Sequence, residues 1–186
     1  MTSLPHFFGY GSLVNERTHS YPQVQNATLQ GWRRVWQHTK HRPVAYLTVM
    51  PCANTTLHGI VAQVPNADWA ALDKREAAYL RKDVSPHIIA DTPPPETAVY
   101  TIPDGQHTNP TAKHPILLSY LDVVVQGYLN RFGAHGVNHF FETTDGWSAP
   151  ILDDRAAARY PRAQDLSSKE TALVDGWLSR LSAQVK

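Results

Sequence analysis

The stretch HFFGYGSL, residues 6–13, predicts a strand followed by a tight turn. Its aromatic half, His6 to Tyr10, is typical of a strand, and Gly11 and Ser12 favour a tight turn directly after it. The glycines on either side of Tyr10 allow close backbone approach, and the amides after Gly11 can converge on an anion or a carbonyl oxygen. The local pattern alone favours an ordinary turn capped by a serine, so a binding role needs evidence from elsewhere.

Two motifs that this stretch partly matches are excluded by Val14. A dinucleotide-binding fingerprint needs glycine at position 14 and a helix after it. A nucleophile elbow centred on Ser12 needs glycine at positions 10 and 14, where Tyr10 and Val14 stand. Cys52 follows an apolar strand without a histidine or aspartate of identifiable role, which indicates a buried spectator thiol. A hydrolase built on Ser12 or Cys52 is therefore disfavoured.

Further strands are predicted in the first hundred residues, at 28–38, 44–50, 57–64, 84–90 and 97–102. Both alternate sets of side chains in 44–50 are largely apolar, which predicts a central strand covered on both faces. Pro65 ends the strand predicted at 57–64, and Asn66 is the expected N-cap of a helix over about 67–80.

Helical periodicity replaces the strand pattern after residue 115, over 116–132 and 166–181, with a short helix expected at 138–143. The Pro-rich and Asn/Thr-rich stretches, 91–96 and 103–115, are predicted loops, and the second is a candidate pocket rim. Strands early and helices late predict a mixed α+β fold, a curled and mostly antiparallel sheet or small barrel with flanking helices. Its 186 residues fit a single domain spanning 1–186.

The charge balance argues against large anionic partners. Seventeen Lys and Arg against sixteen Asp and Glu give a formal net charge of +1, so neither nucleic acid nor a membrane surface is an expected partner. A small-molecule ligand fits better. The lone Cys52 excludes an intramolecular disulfide and any CxxC motif. The N-terminus lacks a signal-peptide pattern, which predicts a cytoplasmic protein, and the oligomeric state stays open.

The segment LDKREAAYL, residues 72–80, supplies the strongest catalytic candidate. On a helical projection Glu76 shares one face with Leu72 and Tyr79, and also with Trp69 and Leu80. A carboxylate in an apolar stripe is usually paired, protonated or poised for chemistry, and desolvation is expected to raise its pKa. Asp73 at the stripe's edge is a less central candidate. The alternative, at about even odds, is a structural glutamate tied to a buried arginine, namely Arg33, Arg34 or Arg42.

A second helix places Tyr120 and Gly127 seven residues apart and therefore on one face. Glycine inside a helix usually lets a backbone or a ligand come close, and Tyr120 is a candidate pocket residue; the alternative is a core tyrosine beside a packing glycine. His135 and His139 have ligand spacing, but no HExxH motif is present, and a catalytic metal is not expected.

Three motifs in this order, FGYGSL, LDxRExxY and Tyr-x6-Gly, resemble those of the γ-glutamylcyclotransferase-like family, which includes the ChaC and AIG2-type proteins. The resemblance implies that a loop of Tyr10, Gly11, Ser12 and Leu13 binds a γ-glutamyl group. It also implies that Glu76 is the catalytic acid and base and that Tyr120 lies at the pocket wall. Some members of the family have a further pocket tyrosine several residues after the glutamate. Asp83 occupies that position here, and the nearest tyrosine is Tyr79.

The resemblance also implies a reaction. The α-amine of a γ-glutamyl amide attacks the γ-carbonyl, closes 5-oxoproline and expels an amine, an amino acid or a peptide, with no cofactor or metal. The C-terminal segment after residue 139 resembles that of bacterial relatives of unsettled substrate, so glutathione is not implied. The alternative is a binding module on the same fold that holds a small carboxylate or amide without turning it over.

Overall fold

A curled sheet of seven strands carries the fold in the computed structural model, which describes residues 4–39, 43–103 and 105–186. Its strands are β1 (His6–Gly9), β2 (Gln25–His38), β3 (Ala45–Gln63), β4 (Leu80–Asp83), β5 (Ile88–Ala90), β6 (Thr97–Thr101) and β8 (Thr144–Asp145). A separate parallel pair joins β7 (Ile116–Leu117) to β9 (Ile151–Leu152). The helices are α1 (Trp69–Arg75), α2 (Leu118–Glu142) and α3 (Ser168–Arg180).

The strand order β4-β6-β1-β3-β2-β5, with β8 beside β2, makes the sheet mixed. Among the described residues β1 pairs with β6 in parallel and β2 with β8 in parallel, and the other pairs of this sheet are antiparallel. The predicted α+β class with a curled, mostly antiparallel sheet is confirmed. β3 lies between β1 and β2, but β1 pairs with residues 60–63, whereas residues 45–50 pair with β2 alone among the described strands. The central position predicted for 44–50 therefore belongs to the other end of β3.

The predicted strands 44–50 and 57–64 are one continuous strand, β3, so the break predicted between them was wrong. The register explains why. Gln30 of β2 faces Thr56, yet Trp32 faces Pro51, so residues 52–55 bulge opposite Gly31, whose φ is +79°. A bulge bends a strand and tolerates a proline that a regular ladder would exclude. The strand continues through Pro51, and the bend contributes to the curl of the sheet.

Other boundaries also differ from the sequence prediction. The predicted helix over 67–80 is only α1, because Asp68 rather than Asn66 is its N-cap and the chain enters β4 at Leu80. The predicted strand 84–90 contains a 3-10 turn at Ser85–His87 and keeps only β5. The helices predicted at 116–132 and 138–143 merge into α2, with a local break at Gly133, where φ is +65°.

The core is one cluster that extends from β1 to α3 and includes the fully buried Trp36, Tyr128 and Phe140. Arg34 is buried among them. Its Nε donates to the carbonyl of Tyr10 at 3.1 Å, and its Nη1 donates to Thr143 Oγ1 at 2.7 Å. Burial lowers the pKa of Arg34. This guanidinium ties β2 to the turn after β1 and to the end of α2. Within the described ranges, no helix is long and apolar enough to cross a membrane.

Three histidines stack at the junction of β3 and α2. The rings of His58 and His139 lie 3.8 Å apart and nearly parallel, and His135 follows at 6.0 Å from His58. Burial, together with the nearby His58 and Arg34, lowers the pKa of His139 to about 4. Protonating this ring places a second positive charge beside the buried Arg34.

We expect the stack to weaken the fold in acid. A His139 pKa that is depressed in the folded protein means that the unfolded chain binds more protons between pH 6.5 and about 4. Stability is therefore fully present above 6.5 and falls as the pH drops through this window. Because the ring is half-buried, we expect His139→Gln to remove only on the order of 1 kcal/mol of the loss.

Urea unfolding of wild type and His139→Gln, at neutral pH and at about pH 5, measures the difference. The exposed His87, changed to glutamine, is the matched control and should keep the wild-type pH slope. Equal slopes for wild type and His139→Gln would contradict this account of the stack.

Candidate active site

A cavity of about 630 Å³ brings together the candidates from all three motifs. Ser12 comes from the turn after β1, Glu76 from the end of α1 and Tyr120 from the first turn of α2. The rest of the wall is Pro43, Val44, Ala45, Tyr46, Arg75, Tyr79, Ala112, Lys113, Pro115, Leu117, Leu152, Arg159, Tyr160, Pro161 and Arg162. The loop over 103–115 contributes three of these residues, at the rim position predicted for it.

Glu76 reaches the cavity from the residue that caps α1 at its C-terminus. Its amide donates to the carbonyl of Leu72 at 2.9 Å, and its own carbonyl accepts from the amide of Tyr79 at 2.8 Å. This turn ends the helix and leads the chain into β4. The Glu76 side chain is 19% exposed, and Oε1 lies 3.3 Å from Nε of Arg75. A largely buried carboxylate beside one cation can hold an ammonium group or exchange a proton with a bound amine.

The apolar stripe from which Glu76 was inferred is not present as predicted. Trp69 packs against Arg81 on the other side of α1, with the guanidinium carbon 4.5 Å from the ring centroid, and Leu80 is 59% exposed. The reason is that the helix stops before Glu76, so a helical projection no longer applies. Tyr79 still shares the cavity, and its hydroxyl donates to the carbonyl of Leu47 at 2.8 Å.

Two of the three arginines proposed as structural partners of Glu76 make their contacts elsewhere in the structure. Arg33 is paired with Asp145, Arg34 binds acceptors in the core, and Arg42 lies outside the described residues. The arginine beside Glu76 is its neighbour Arg75, which also approaches the carbonyl of Thr18 at 3.3 Å. The carboxylate thus has a cationic neighbour and faces the same cavity as Ser12.

The turn after β1 is a 3-10 turn over Ser12–Val14, closed by the amide of Val14 on the carbonyl of Gly11 at 3.0 Å. Ser12 lines the cavity, and its backbone lies near the hydroxyl of Tyr120. A Cβ on Gly11 would lie 2.6 Å from that hydroxyl oxygen, so a larger residue at position 11 would displace the Tyr120 side chain. Leu13 is buried in the core. Of the predicted loop, Ser12 therefore faces the cavity while Gly11 and Leu13 set its position.

Tyr10 lies behind the part of the cavity wall that Ser12 and Tyr120 form. Its hydroxyl donates to the carbonyl of Tyr100 at 2.7 Å, and its side chain is 7% exposed and is not among the residues that line the cavity. Burial, with the nearby Glu76, raises the pKa of Tyr10. The contribution of Tyr10 to this site is therefore its backbone, whose carbonyl is held by Arg34.

Helix α2 contacts the turn after β1 at two points that lie on the same face of the helix. Tyr120 meets Gly11 and Ser12, while a Cβ on Gly127 would lie 2.7 Å from the amide nitrogen of Asn15. The side chain of Asn15 donates to the carbonyl of Val123 and to Gln126 Oε1, both at 3.0 Å. The close backbone approach expected at Gly127 is present. The Tyr-x6-Gly spacing therefore matches the separation along α2 of the two points at which the helix contacts this turn.

Tyr120 is a neutral donor in this cavity. Its ring meets the rings of Trp36 and Tyr160 edge-on, at centroid distances of 5.9 and 5.0 Å. Burial raises the pKa of Tyr120 well above 10, and Tyr160, Tyr10 and Glu76 raise it further. The hydroxyl therefore keeps its proton at neutral pH and can donate to an oxygen that gains negative charge.

The sequence analysis missed the C-terminal segment that closes the cavity. Asp154, 6% exposed, accepts from the amide and the hydroxyl of Ser119 at 2.8 and 2.6 Å and from the amide of Arg159 at 2.8 Å. Burial raises the pKa of Asp154, but these hydrogen bonds outweigh it and hold the pKa below its usual value. Asp154 caps the start of α2 from a distant part of the chain, which no local pattern could indicate.

A larger groove of about 950 Å³ lies on the far side of α1, along β4. Asp73 lines it and accepts from the hydroxyl of Tyr100 at 2.5 Å, and it pairs with Arg81 at 2.8 Å. Asp73 thus anchors α1 to β6 and β4, and it does not line the cavity of Glu76. We assign the candidate site to the smaller cavity because Ser12, Glu76 and Tyr120 meet only there among the cavities of the described residues.

Comparison with known sequences identifies one family model. Residues 7–119, more than half of the chain, match the model described as gamma-glutamyl cyclotransferase, AIG2-like. The match includes the turn after β1 and α1 with Glu76, and it ends just before Tyr120. No protein of curated function matches the sequence.

Solved structures with the same fold include three similar chains. A gamma-glutamyl cyclotransferase is 13% identical, with a TM-score of 0.56 over 92% of this chain and 98% of its own. An uncharacterized human protein is 12% identical, with a TM-score of 0.57 over 91% and 97%. YkqA from Bacillus subtilis is 14% identical, with a TM-score of 0.57 over 78% of this chain and 57% of YkqA. At such identities the likeness shows the fold.

Proposed function

Since the chain belongs to the AIG2-like gamma-glutamyl cyclotransferase family, we propose that it converts a γ-glutamyl amide into 5-oxoproline and a free amine. Glu76 is the general acid and base in this proposal, and Ser12 and Tyr120 bind the γ-glutamyl group. One observation supports this most: a largely buried carboxylate, a backbone amide and a neutral tyrosine hydroxyl belong to one cavity. The cavity of about 630 Å³ leaves room for a group beyond the glutamyl moiety.

The reaction needs proton transfer at two points. The α-ammonium of the substrate first gives a proton to the Glu76 carboxylate, which frees the nitrogen lone pair. That nitrogen attacks the γ-carbonyl carbon, and the carbonyl π electrons move onto oxygen. When the intermediate collapses, the carbonyl re-forms, the bond to the leaving nitrogen breaks and Glu76 returns the proton to that nitrogen. The freed Glu76 carboxylate then takes the second proton from the ring nitrogen, which leaves a neutral lactam, and passes it to the departing amine, which leaves as an ammonium. The products are 5-oxoproline and an amine, an amino acid or a peptide.

The oxygen that gains charge is bound at the turn after β1. The Ser12 amide, whose backbone lies near the Tyr120 hydroxyl, would donate to this oxygen, and the Tyr120 hydroxyl would donate beside it. One such donor is typically worth about 3 kcal/mol in the transition state. Because the attack is intramolecular, much of the remaining acceleration comes from holding the amine against the carbonyl.

Product analysis tests this proposal against the alternative of a binding module. The purified protein is incubated with γ-glutamyl amides and γ-glutamyl peptides, and 5-oxoproline and free amine are quantified while binding is followed by calorimetry. We expect equal amounts of both products from at least one substrate, and no turnover of its N-acetylated form, whose nitrogen cannot attack. Saturable binding with no product from any of them would replace the proposal by the binding module. The single cysteine suits a reducing compartment such as the cytoplasm.

A further inference from the structure

The wall of the Glu76 cavity carries an excess of positive charge. Among the described residues that line it, Arg75, Lys113, Arg159 and Arg162 are cationic and Glu76 is acidic. The whole chain has a formal net charge of only +1. Arg75 lies against Glu76, whereas no salt bridge between described residues involves the other three cations. The cavity thus offers several cations that the protein itself does not neutralise.

A γ-glutamyl group alone does not account for this excess. It carries one ammonium and one carboxylate, which Glu76 and its neighbour Arg75 can match. If the leaving group is a neutral or positively charged amine, the remaining cations of the cavity have no negatively charged group to bind. A second carboxylate, on the part of the substrate that leaves, would supply one, since arginine binds carboxylates through paired, charge-assisted hydrogen bonds.

Arg159 and Arg162 lie on a segment that hydrogen bonds to the rest of the protein hold in place. The amide of Arg159 donates to Asp154, and the amide of Tyr160 donates to Ser119 Oγ at 3.3 Å. Since Asp154 is 6% exposed and also caps α2, this segment is fixed to the helix that carries Tyr120. The ring of Tyr160 meets that of Tyr120 at 5.0 Å. The hydrogen bond to the buried Asp154 carboxylate therefore fixes the backbone of Arg159 at the cavity wall, next to Tyr160.

We propose that Arg159 and Arg162 bind a carboxylate on the leaving part of the substrate, which makes the enzyme selective for γ-glutamyl amino acids or peptides over γ-glutamyl amines. This rests on the proposed function. The two residues follow the region matched by the family model, which ends at residue 119. The C-terminal segment of this chain, and not the shared fold, would then set the choice of leaving group.

Two substrates of equal size separate the effect of charge: γ-glutamyl-glycine and γ-glutamyl-glycinamide. We expect wild type to prefer the acid by about tenfold or more in kcat/KM. The double variant Arg159→Gln, Arg162→Gln should lose that preference, because its kcat/KM falls by a larger factor for the acid than for the amide. Arg180→Gln is the matched control, because Arg180 lies over the Trp177 ring on α3 and outside the cavity.

A preference that the double variant retains would overturn the proposal, as would an equal loss toward both substrates. Binding to the Glu76→Gln protein decides the question without turnover: the acid should bind more tightly than the amide, and more so at low salt. Equal affinities would overturn the carboxylate site. Wild type that binds the acid selectively but releases no 5-oxoproline would contradict the proposed function and leave the carboxylate site supported.

Discussion

Replacing Glu76 by glutamine is expected to lower the rate of 5-oxoproline release by about a thousandfold, within the range typical of a lost general acid or base. The amide has nearly the shape of the carboxylate, so the cavity should be preserved, but it can neither take the proton from the α-ammonium nor return one to the leaving amine. The effect should fall on kcat more than on KM, since the other groups that bind the substrate remain.

Stopped assays of 5-oxoproline under saturating substrate measure this rate. Glu142→Gln is the matched control, because Glu142 is an exposed carboxylate at the end of α2 and should leave the rate unchanged. Far-UV circular dichroism checks that both variants are folded. A Glu76→Gln protein as active as wild type would remove Glu76 from the chemistry.

Gly127→Ala is expected to destabilise the protein by about 1–3 kcal/mol, although alanine is the better helix former by up to about 1 kcal/mol. The reason is steric: a Cβ at this position would lie 2.7 Å from the amide nitrogen and 2.9 Å from the Cα of Asn15. Backbone cannot move aside as a flexible side chain can. The turn that carries Ser12 must shift, so kcat/KM should fall as well.

The matched control is Gly176→Ala on α3, where nothing lies within 4 Å of the added Cβ and the glycine is exposed. Only helix propensity acts there, so this variant should be more stable than wild type by about 0.5–1 kcal/mol. Urea unfolding of both variants measures these two changes in the free energy of unfolding, which are expected to have opposite signs. A Gly127→Ala protein stabilised like the control would show that the contact with Asn15 is not tight.

The sequence predicted the fold class and the meeting of distant motifs better than it predicted element boundaries. The strand that ends at the Gly11 turn could be predicted from the sequence, because strand and turn residues are local signals. The continuity of β3 through Pro51 could not, since it depends on a bulge opposite Gly31 that only the partner strand reveals. The capping of α2 by Asp154 is equally nonlocal.

Glu76 was singled out from the sequence for a partly wrong reason. The helical projection placed it in an apolar stripe, yet α1 ends at Arg75, and Trp69 and Leu80 lie elsewhere. The pairing of Leu80 with Thr101 starts a strand where helical periodicity predicted another turn of helix. The resemblance to a family also singles out Glu76, and it rests on motif order, which does not depend on where the helix stops.

The central claim is that the substrate supplies its own nucleophile, and the origin of the product oxygen tests it most directly. The purified protein is incubated with γ-glutamyl-glycine in oxygen-18 water, and the products are identified by mass spectrometry. Cyclisation predicts unlabelled 5-oxoproline and glycine in equal amounts, because no water enters the bond that is broken. Glutamate carrying oxygen-18 in its γ-carboxylate would show hydrolysis and would contradict the cyclotransferase mechanism.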